Sequence, residues 1–389
     1  MNIIKFNLCF KIYLITLFLF AFFFLFQKYN NNVEWTISEW LINYQGGFTR
    51  RGLIGEIVFQ FSKILSVSVR KMIFIFQVAT YIIFYFLLYK FIRDIKKTLL
   101  LIFAIFSPLF LIYPIAEVEV LARKEVFVFI SFIIIGNIFG QKKIINKHFI
   151  YFSLILVTTA LIWEGVIFYI PFFIIIPIIK NNFVLDKILL IRIILSVLPT
   201  LIIFYFIIFS KLTTNEIEIM CNSVNECYGA MRYIGNSLES NIAEVTSKFK
   251  LTYLIRYILI FLIGFFPFLL IIKNSKFKAN SFISGKNCLP IFFILLLPNI
   301  LFFYVAQDWG RWINISYTLS LLTYIYSFKN NFVKTNCKII DFNLFKKKFI
   351  LILSFIIFSF GWNPKTLMNE DVGSIPIYRK SLIIIEYFI

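Results

Sequence analysis

The sequence carries a single histidine, five cysteines, and only 19 acidic residues against 39 lysines and arginines. It contains no His/Cys cluster at metal-binding spacing, no P-loop, no Rossmann fingerprint and no long internal repeat. These absences argue against an ATP-driven engine built into this chain. Charge is scarce altogether, at 15% of residues, whereas 60% are hydrophobic. A length of 389 residues would ordinarily mean two or three soluble domains. That prior fails here, because many apolar runs reach or approach the roughly 20 residues that span a bilayer.

What is present is a succession of Phe- and Ile-rich helices. The chain reads as an all-α polytopic integral membrane protein, one transmembrane domain over residues 1–389, whose helices pack against one another in lipid. The expected spans are 8–26, 72–92, 98–115, 126–140, 149–163, 165–179, 188–209, 253–272, 288–305, 313–328 and 349–361, about eleven crossings. Several are short for a full crossing, so tilted, broken or re-entrant helices are expected. The first apolar run follows Lys5 and Lys11 like a signal peptide, but "QKYNNN" follows it rather than a small-residue cleavage site, so it reads as a retained helix. The segment 52–69, within an outer loop 27–71, has helical apolar spacing and reads as an interfacial or re-entrant helix. A second, larger outer loop covers 210–252. Phe, Ile, Lys and Asn are abundant throughout, as an AT-rich coding sequence produces, so the scarce residue types carry more information.

The net charge of +20 invites a nucleic-acid reading. Topology accounts for it without nucleic acid. With the N-terminus in the cytoplasm, the inner segments collect 21 cations against three acids, as the positive-inside rule requires. Arginine behaves differently from lysine. Of ten arginines, eight fall outside: Arg50, Arg51, Arg70, Arg123, Arg232, Arg256, Arg311 and Arg379. Guanidinium is the better fork for carboxylate and phosphate oxygens. The outer face therefore reads as built to hold an anion. Arg192 is the exception that lies inside a span.

Five unusual stretches share that outer side: "VEWTISEWLINYQGGFTRRG" (33–52), "AEVEVLARKE" (116–125), "WEG" (163–165), the loop 210–252 and "QDWGRW" (307–312). Ionisable residues at membrane depth are costly and point to function by default. In the first stretch Gly46 and Gly47 permit a tight turn, and Thr49 is placed to cap a helix starting near Gly52. Arg50 and Arg51 beside that helix N-terminus suit a phosphate or pyrophosphate. The alternative is an arginine pair that snorkels to anionic headgroups and sets helix depth.

Glu119 and Arg123 are four apart and can pair on one helix face, a structural role by itself. Lys124 and Glu125 open the next span and read as headgroup-facing. Glu164, beside Trp163, is either a solvated turn residue or a carboxylate whose pKa burial raises, as a general acid or base needs. Asp308 and Arg311 are either an ion pair or a base next to an anion ligand. Trp35, Trp40, Trp309 and Trp312 fit the aromatic belt, and their indole faces also suit sugar rings. Cys221 and Cys227, on the outer side, can close a disulfide, whereas Cys9, Cys288 and Cys337 read as free. His148, at an inner helix end, reads as structural.

The stretches "GGFTRRGLIG", "ARKE", "WEG" and "DWGRW", with many helices and one enlarged outer loop, resemble bacterial Wzy-type O-antigen and capsule polymerases. More broadly the chain resembles membrane glycosyltransferases of the GT-C type. The resemblance implies transfer of glycan from a polyprenyl-pyrophosphate carrier to a sugar acceptor at the outer face of the bacterial inner membrane, beside other polysaccharide-assembly proteins. It implies that Arg50, Arg51, Arg123 and Arg311 hold the pyrophosphate, and that Asp308, Glu164 or Glu119, in that order, serves as base. GT-C enzymes usually carry acids in the first outer loop, a place Glu34 and Glu39 can fill. The paired acidic motif of many members is absent, which favours a reaction without metal, and no cofactor is expected. A transporter or flippase of a lipid-linked or anionic solute is the competing reading, although such proteins place charges at the midplane and often show repeated halves. A non-catalytic membrane subunit would leave the arginine bias without a cause.

Overall fold

The computed structural model describes residues 3–31, 34–141, 145–210, 212–236, 238–278, 285–335 and 348–388. The expectations for Cys337, for Lys142, Lys143, Lys338, Lys346 and Lys347, and for Asp341 lie outside these residues.

Among the described residues the chain is helical apart from two short antiparallel strand pairs and one isolated bridge between Lys276 and Asn287. It opens with α1 (Ile3–Asn30), α2 (Trp35–Leu41), α3 (Gly52–Leu65) and α4 (Val69–Ile92). Then come α5 (Leu99–Ile105), α6 (Tyr113–Ala116), α7 (Val126–Phe139), α8 (Asn146–Ile162), a 3-10 turn (Glu164–Tyr169), α9 (Ile170–Lys180) and α10 (Lys187–Phe209). The segment after α10 forms α11 (Thr214–Val224), α12 (Ala230–Tyr233) and α13 (Leu238–Lys248), which lead into α14 (Leu251–Lys273). The remainder holds α15 (Leu289–Leu296), α16 (Ile300–Val305), α17 (Trp309–Lys329), α18 (Lys348–Phe360) and α19 (Pro376–Phe388). Strands β1 (Ser275–Phe277) and β2 (Val333–Thr335) pair antiparallel, as do β3 (Trp362–Asn363) and β4 (Gly373–Ser374).

Among the described residues four helices are long and apolar enough to cross a membrane: α1 from Phe6, α4, α10 and α14. Leu19, Phe86, Leu195 and Ile263 leave half or more of their surface uncovered. In water such exposure would be costly; a lipid surround removes that cost.

α17 is the opposite case. It is buried from Trp309 to Ser327, and it carries Asn314, Ser316, Thr318, Ser320, Thr323 and Ser327. A helix that faces protein on all sides can hold such groups when they are hydrogen-bonded. Asn314 Nδ2 donates to the carbonyls of Leu109 (2.6 Å) and Phe110 (3.2 Å), and the Tyr317 hydroxyl donates to the Ala104 carbonyl (2.7 Å). Those carbonyls are within reach of side chains because the expected span 98–115 is broken: α5 ends at Ile105, and turns lead to the single turn of α6. Irregular backbone at such a depth is tolerated where protein partners satisfy it.

A second, smaller core lies beside the main one. Trp40, Ile54, Val58, Met220 and Met231 bring α2, α3, α11 and α12 together. Ser38 Oγ accepts from the Ala230 amide (2.9 Å), and Gly46 lies so close to α11 that a Cβ would stand 2.0 Å from the Glu216 carbonyl oxygen. A disulfide joins Cys221 to Cys227. Cys9 and Cys288 are free thiols. His148 is buried, with its ring edge-on to Phe139 at 5.8 Å.

Candidate functional site

Four of the five conspicuous stretches converge on one cluster of charge. Arg51 is its hub. Its Nε donates to both oxygens of Glu164 (2.9 Å each), and its Nη1 donates to Glu39 Oε1 (3.0 Å). Glu39 Oε2 accepts in turn from Arg123 Nη1 (3.3 Å). Arg311 bonds to both Glu125 and Asp308. Arg50 stands at the edge, 4.0 Å from Glu164, and donates to the carbonyls of Tyr233 and Ile234.

The backbone at this cluster is unusual. Arg51 and Ala122 both adopt left-handed conformations, with φ 63° and 64°, although neither is glycine. Such positions cost roughly 1–3 kcal/mol and persist only where the surroundings hold them. Each of these carbonyls receives a buried donor. Lys124 Nζ donates to Arg51 O (2.5 Å), and Trp40 Nε1 donates to Ala122 O (2.7 Å). The two strained segments are thus clamped by side chains from neighbouring parts of the site.

The Glu39 carboxylate is fully buried, which by itself would raise its pKa. Arg123, Arg51 and Lys124 override burial and hold it near 2. Glu164 is also held below the ordinary carboxylate range, burial again being outweighed by Arg51 and by the hydrogen bonds from it. The expectation of a raised pKa at Glu164 is thereby corrected: Trp163 supplies a dry neighbour, but Arg51 supplies a stronger opposite charge. Lys124 is pushed down to about 7, chiefly by its own burial.

Other expectations are corrected by geometry. The Arg123 guanidinium reaches Glu39 rather than the Glu119 side chain, because residues 117–125 form turns rather than a helix. Glu119 contributes only its backbone carbonyl to Arg123 (3.0 Å), and the residue is exposed. Thr49 does not cap α3; Arg51 occupies that position without a side-chain cap. Lys124 and Glu125 do not face headgroups, since they are 0% and 4% exposed.

Trp309 and Trp312 offer no open face to a sugar. Trp312 lies between Phe302, stacked at 4.5 Å, and the Arg311 guanidinium at 4.7 Å. Trp309 packs edge-to-face on Tyr257 (5.4 Å) and Phe303 (5.7 Å). Trp40 is fully buried. Trp35 keeps 41% exposure and stands 5.8 Å from the Arg123 guanidinium.

Sequence reasoning gave Glu39 only the part implied by the resemblance, and passed over Lys124 and Glu125 as site residues. A signal existed for the last two. Three consecutive charged residues, Arg123, Lys124 and Glu125, stand immediately before the apolar run that begins at Val126. The C-terminal segment was missed altogether. Its Thr366 carbonyl accepts from the Gly310 amide (3.1 Å), and its Lys365 Nζ lies 3.3 Å from Glu117.

Not every outward-assigned arginine joins the cluster. Arg70 binds Glu226 (3.2 Å), Arg256 binds Asp371 (2.8 Å), and Arg379 donates to Asn363 (3.0 Å). These three fasten loops to helices, so the arginine bias has a structural component too.

Arg123, Glu125 and Arg311 also border a cleft whose remaining wall includes Tyr81, Phe84, Pro114 and Phe129. Its volume is about 30 Å³, enough to admit water. Beside it, Glu125 Oε2 and Arg311 Nε are buried without a hydrogen-bond partner among the described residues. The cleft joins an apolar wall to a charged one. Comparison of the chain with known protein families, with curated proteins and with solved structures finds no match.

Proposed function

We propose that the protein transfers glycan from a polyprenyl-pyrophosphate carrier to a sugar hydroxyl at the outer face of a bacterial cytoplasmic membrane. In this reading the chain crosses about eleven times with its N-terminus in the cytoplasm. The observation that carries the proposal is the meeting of Arg50, Arg51, Arg123 and Arg311 with Glu39, Glu125, Glu164 and Asp308, next to a cleft with an apolar wall.

The acceptor hydroxyl attacks the anomeric carbon of the carried glycan. The bond from that carbon to the pyrophosphate oxygen breaks, and its electron pair leaves with the pyrophosphate. The arginines offset the charge that develops there, as preorganised donors do in water-poor sites. The hydroxyl proton passes to a carboxylate. Asp308 is the first choice, with 24% of its side chain exposed, and Glu164 is the second, with 14%. Glu119 is left out because its carboxylate stands apart from the cluster. Trp35, which meets Arg123 and Tyr233 yet keeps 41% exposure, is the candidate for a sugar face in this reading. The carboxylates now paired with the arginines occupy the positions that pyrophosphate oxygens would take, so substrate entry requires the pairs to open.

Surface glycan length in the native host tests this. Arg51→Ala and Arg51→Lys, at matched protein levels, are expected to accumulate single repeat units. Unchanged glycan in both would leave Arg51 a purely structural residue and overturn the proposal.

A further inference from the structure

Arg192 takes no part in the cluster described above. It lies in α10, five residues after Lys187, about 7.5 Å along the axis at 1.5 Å per residue. Among the described residues it has no carboxylate partner, and its guanidinium stands 5.8 Å from the Phe149 ring. It lines a groove of about 340 Å³ between α8 and α10 with Ile150, Ser153, Leu154 and Leu195. Ile150 and Leu154 are each 58% exposed and Leu195 is 61% exposed, so the groove opens onto the apolar surface. The Ser153 hydroxyl is without a partner among the described residues. Ser196 at the floor is already satisfied, donating to the carbonyls of Arg192 and Phe149.

The two helices run in the same direction, because the Ser196 hydroxyl of α10 meets Phe149 in the first turns of α8, while Phe204, farther along α10, meets Phe168 just past the end of α8. Their starts therefore lie at one end, where exposed Lys147, three residues before Ile150, shares the groove-lining face of α8. The nearest acid in sequence, Asp186, is committed to capping α10 through the Leu189 amide (2.7 Å). An unpaired guanidinium and one free hydroxyl thus line an apolar trough at the end of a membrane-length helix, with one ammonium group on the same face of α8. A basic recess between membrane helices, near their ends, is the form that anionic headgroup sites take.

We propose that this groove holds one anionic phospholipid. Its phosphate would sit against Arg192, with Lys147 toward the helix starts, and an acyl chain would lie along Ile150, Leu154 and Leu195. A zwitterionic lipid carries its own cation next to the phosphate and gains less from this arrangement. The proposal rests on α10 lying in a bilayer and is independent of glycan transfer.

Native mass spectrometry of the purified full-length protein tests it, with dioleoylphosphatidylglycerol and dioleoylphosphatidylcholine titrated separately. The wild type is expected to retain phosphatidylglycerol preferentially. Arg192→Leu should weaken that retention about fivefold, the effect of one lost basic contact, with phosphatidylcholine binding unchanged. Arg192→Lys should keep part of the preference, and Lys71→Leu, on a remote exposed turn, should keep all of it. Ser153→Trp fills the groove without changing charge, and its loss of retention reads out the same site should Arg192→Leu fail to fold. Equal retention of the two lipids by the wild type overturns the proposal. So does undiminished phosphatidylglycerol retention in Arg192→Leu or, where that variant is unfolded, in Ser153→Trp.

Discussion

Lys124 Nζ donates to the carbonyl oxygen of Arg51 at 2.5 Å, while Arg51 holds a left-handed backbone and grips Glu39 and Glu164 with its side chain. One buried amine thus supports the backbone of the residue that organises the site. Lys124→Met removes the donor and leaves a carbonyl unpaired. The expected loss is about 1–3 kcal/mol, read as a lower unfolding midpoint of the purified protein in detergent. An unchanged midpoint would mean that the clamp is dispensable.

The same amine makes stability depend on pH. Its pKa falls from 10.5 to about 7 on folding. Between those values the unfolded chain binds a proton that the folded chain does not. Stability contributed by Lys124 therefore rises as pH increases through this window and is smallest below 7. The midpoint of the wild type, measured against Lys124→Met, should rise from pH 6.5 to pH 9. A flat difference across that range would place the amine in a wetter setting than the structure gives it.

Arg51→Ala leaves the fully buried Glu39 carboxylate with Arg123 as its remaining ion-pair partner. Stranding a buried charge in this way costs about 3–5 kcal/mol. Adding Glu39→Gln removes the stranded charge, so the double variant should be more stable than Arg51→Ala alone. Additive losses in this cycle, followed by thermal unfolding, would deny the coupling.

Trp312 and Trp35 should separate stability from activity. Trp312→Ala opens a hole between Phe302 and Arg311, at an expected cost of about 3–5 kcal/mol. Trp35→Ala removes a ring that is 41% exposed, so its unfolding midpoint should change little while surface glycan shortens. The reverse pattern, a fragile Trp35→Ala with full-length glycan, would remove Trp35 from the proposed site.

Gly310 gives way to the C-terminal segment. A Cβ there would stand 2.0 Å from the Lys365 carbonyl oxygen. Gly310→Ala should release residues 362–372 from the start of α17, seen as faster proteolysis within that segment. Cleavage at the wild-type rate would show that the contact is not needed for docking.

Local pattern was enough to mark most helices. The runs 72–92, 126–140, 149–163 and 188–209 reappear within a few residues as α4, α7, α8 and α10, since apolar length and helical propensity act along the chain. The break inside 98–115 was not legible. Carbonyls within it accept from Asn314 and Tyr317, some two hundred residues away. The three helices of 210–252 and the returning segment after 361 depend on similar distant partners.

The site divides along the same line. Scarcity of charge in an apolar chain was enough to single out Arg50, Arg51, Arg123, Glu164, Asp308 and Arg311, because a charge at membrane depth is costly wherever it falls. Which charge pairs with which, and which groups stay titratable, was decided by tertiary structure alone. Arg123 is four residues from Glu119 yet turns to Glu39, eighty-four positions away, because the backbone between Glu117 and Glu125 is not helical. Electrostatic energy depends on distance and burial in space, and sequence separation specifies neither.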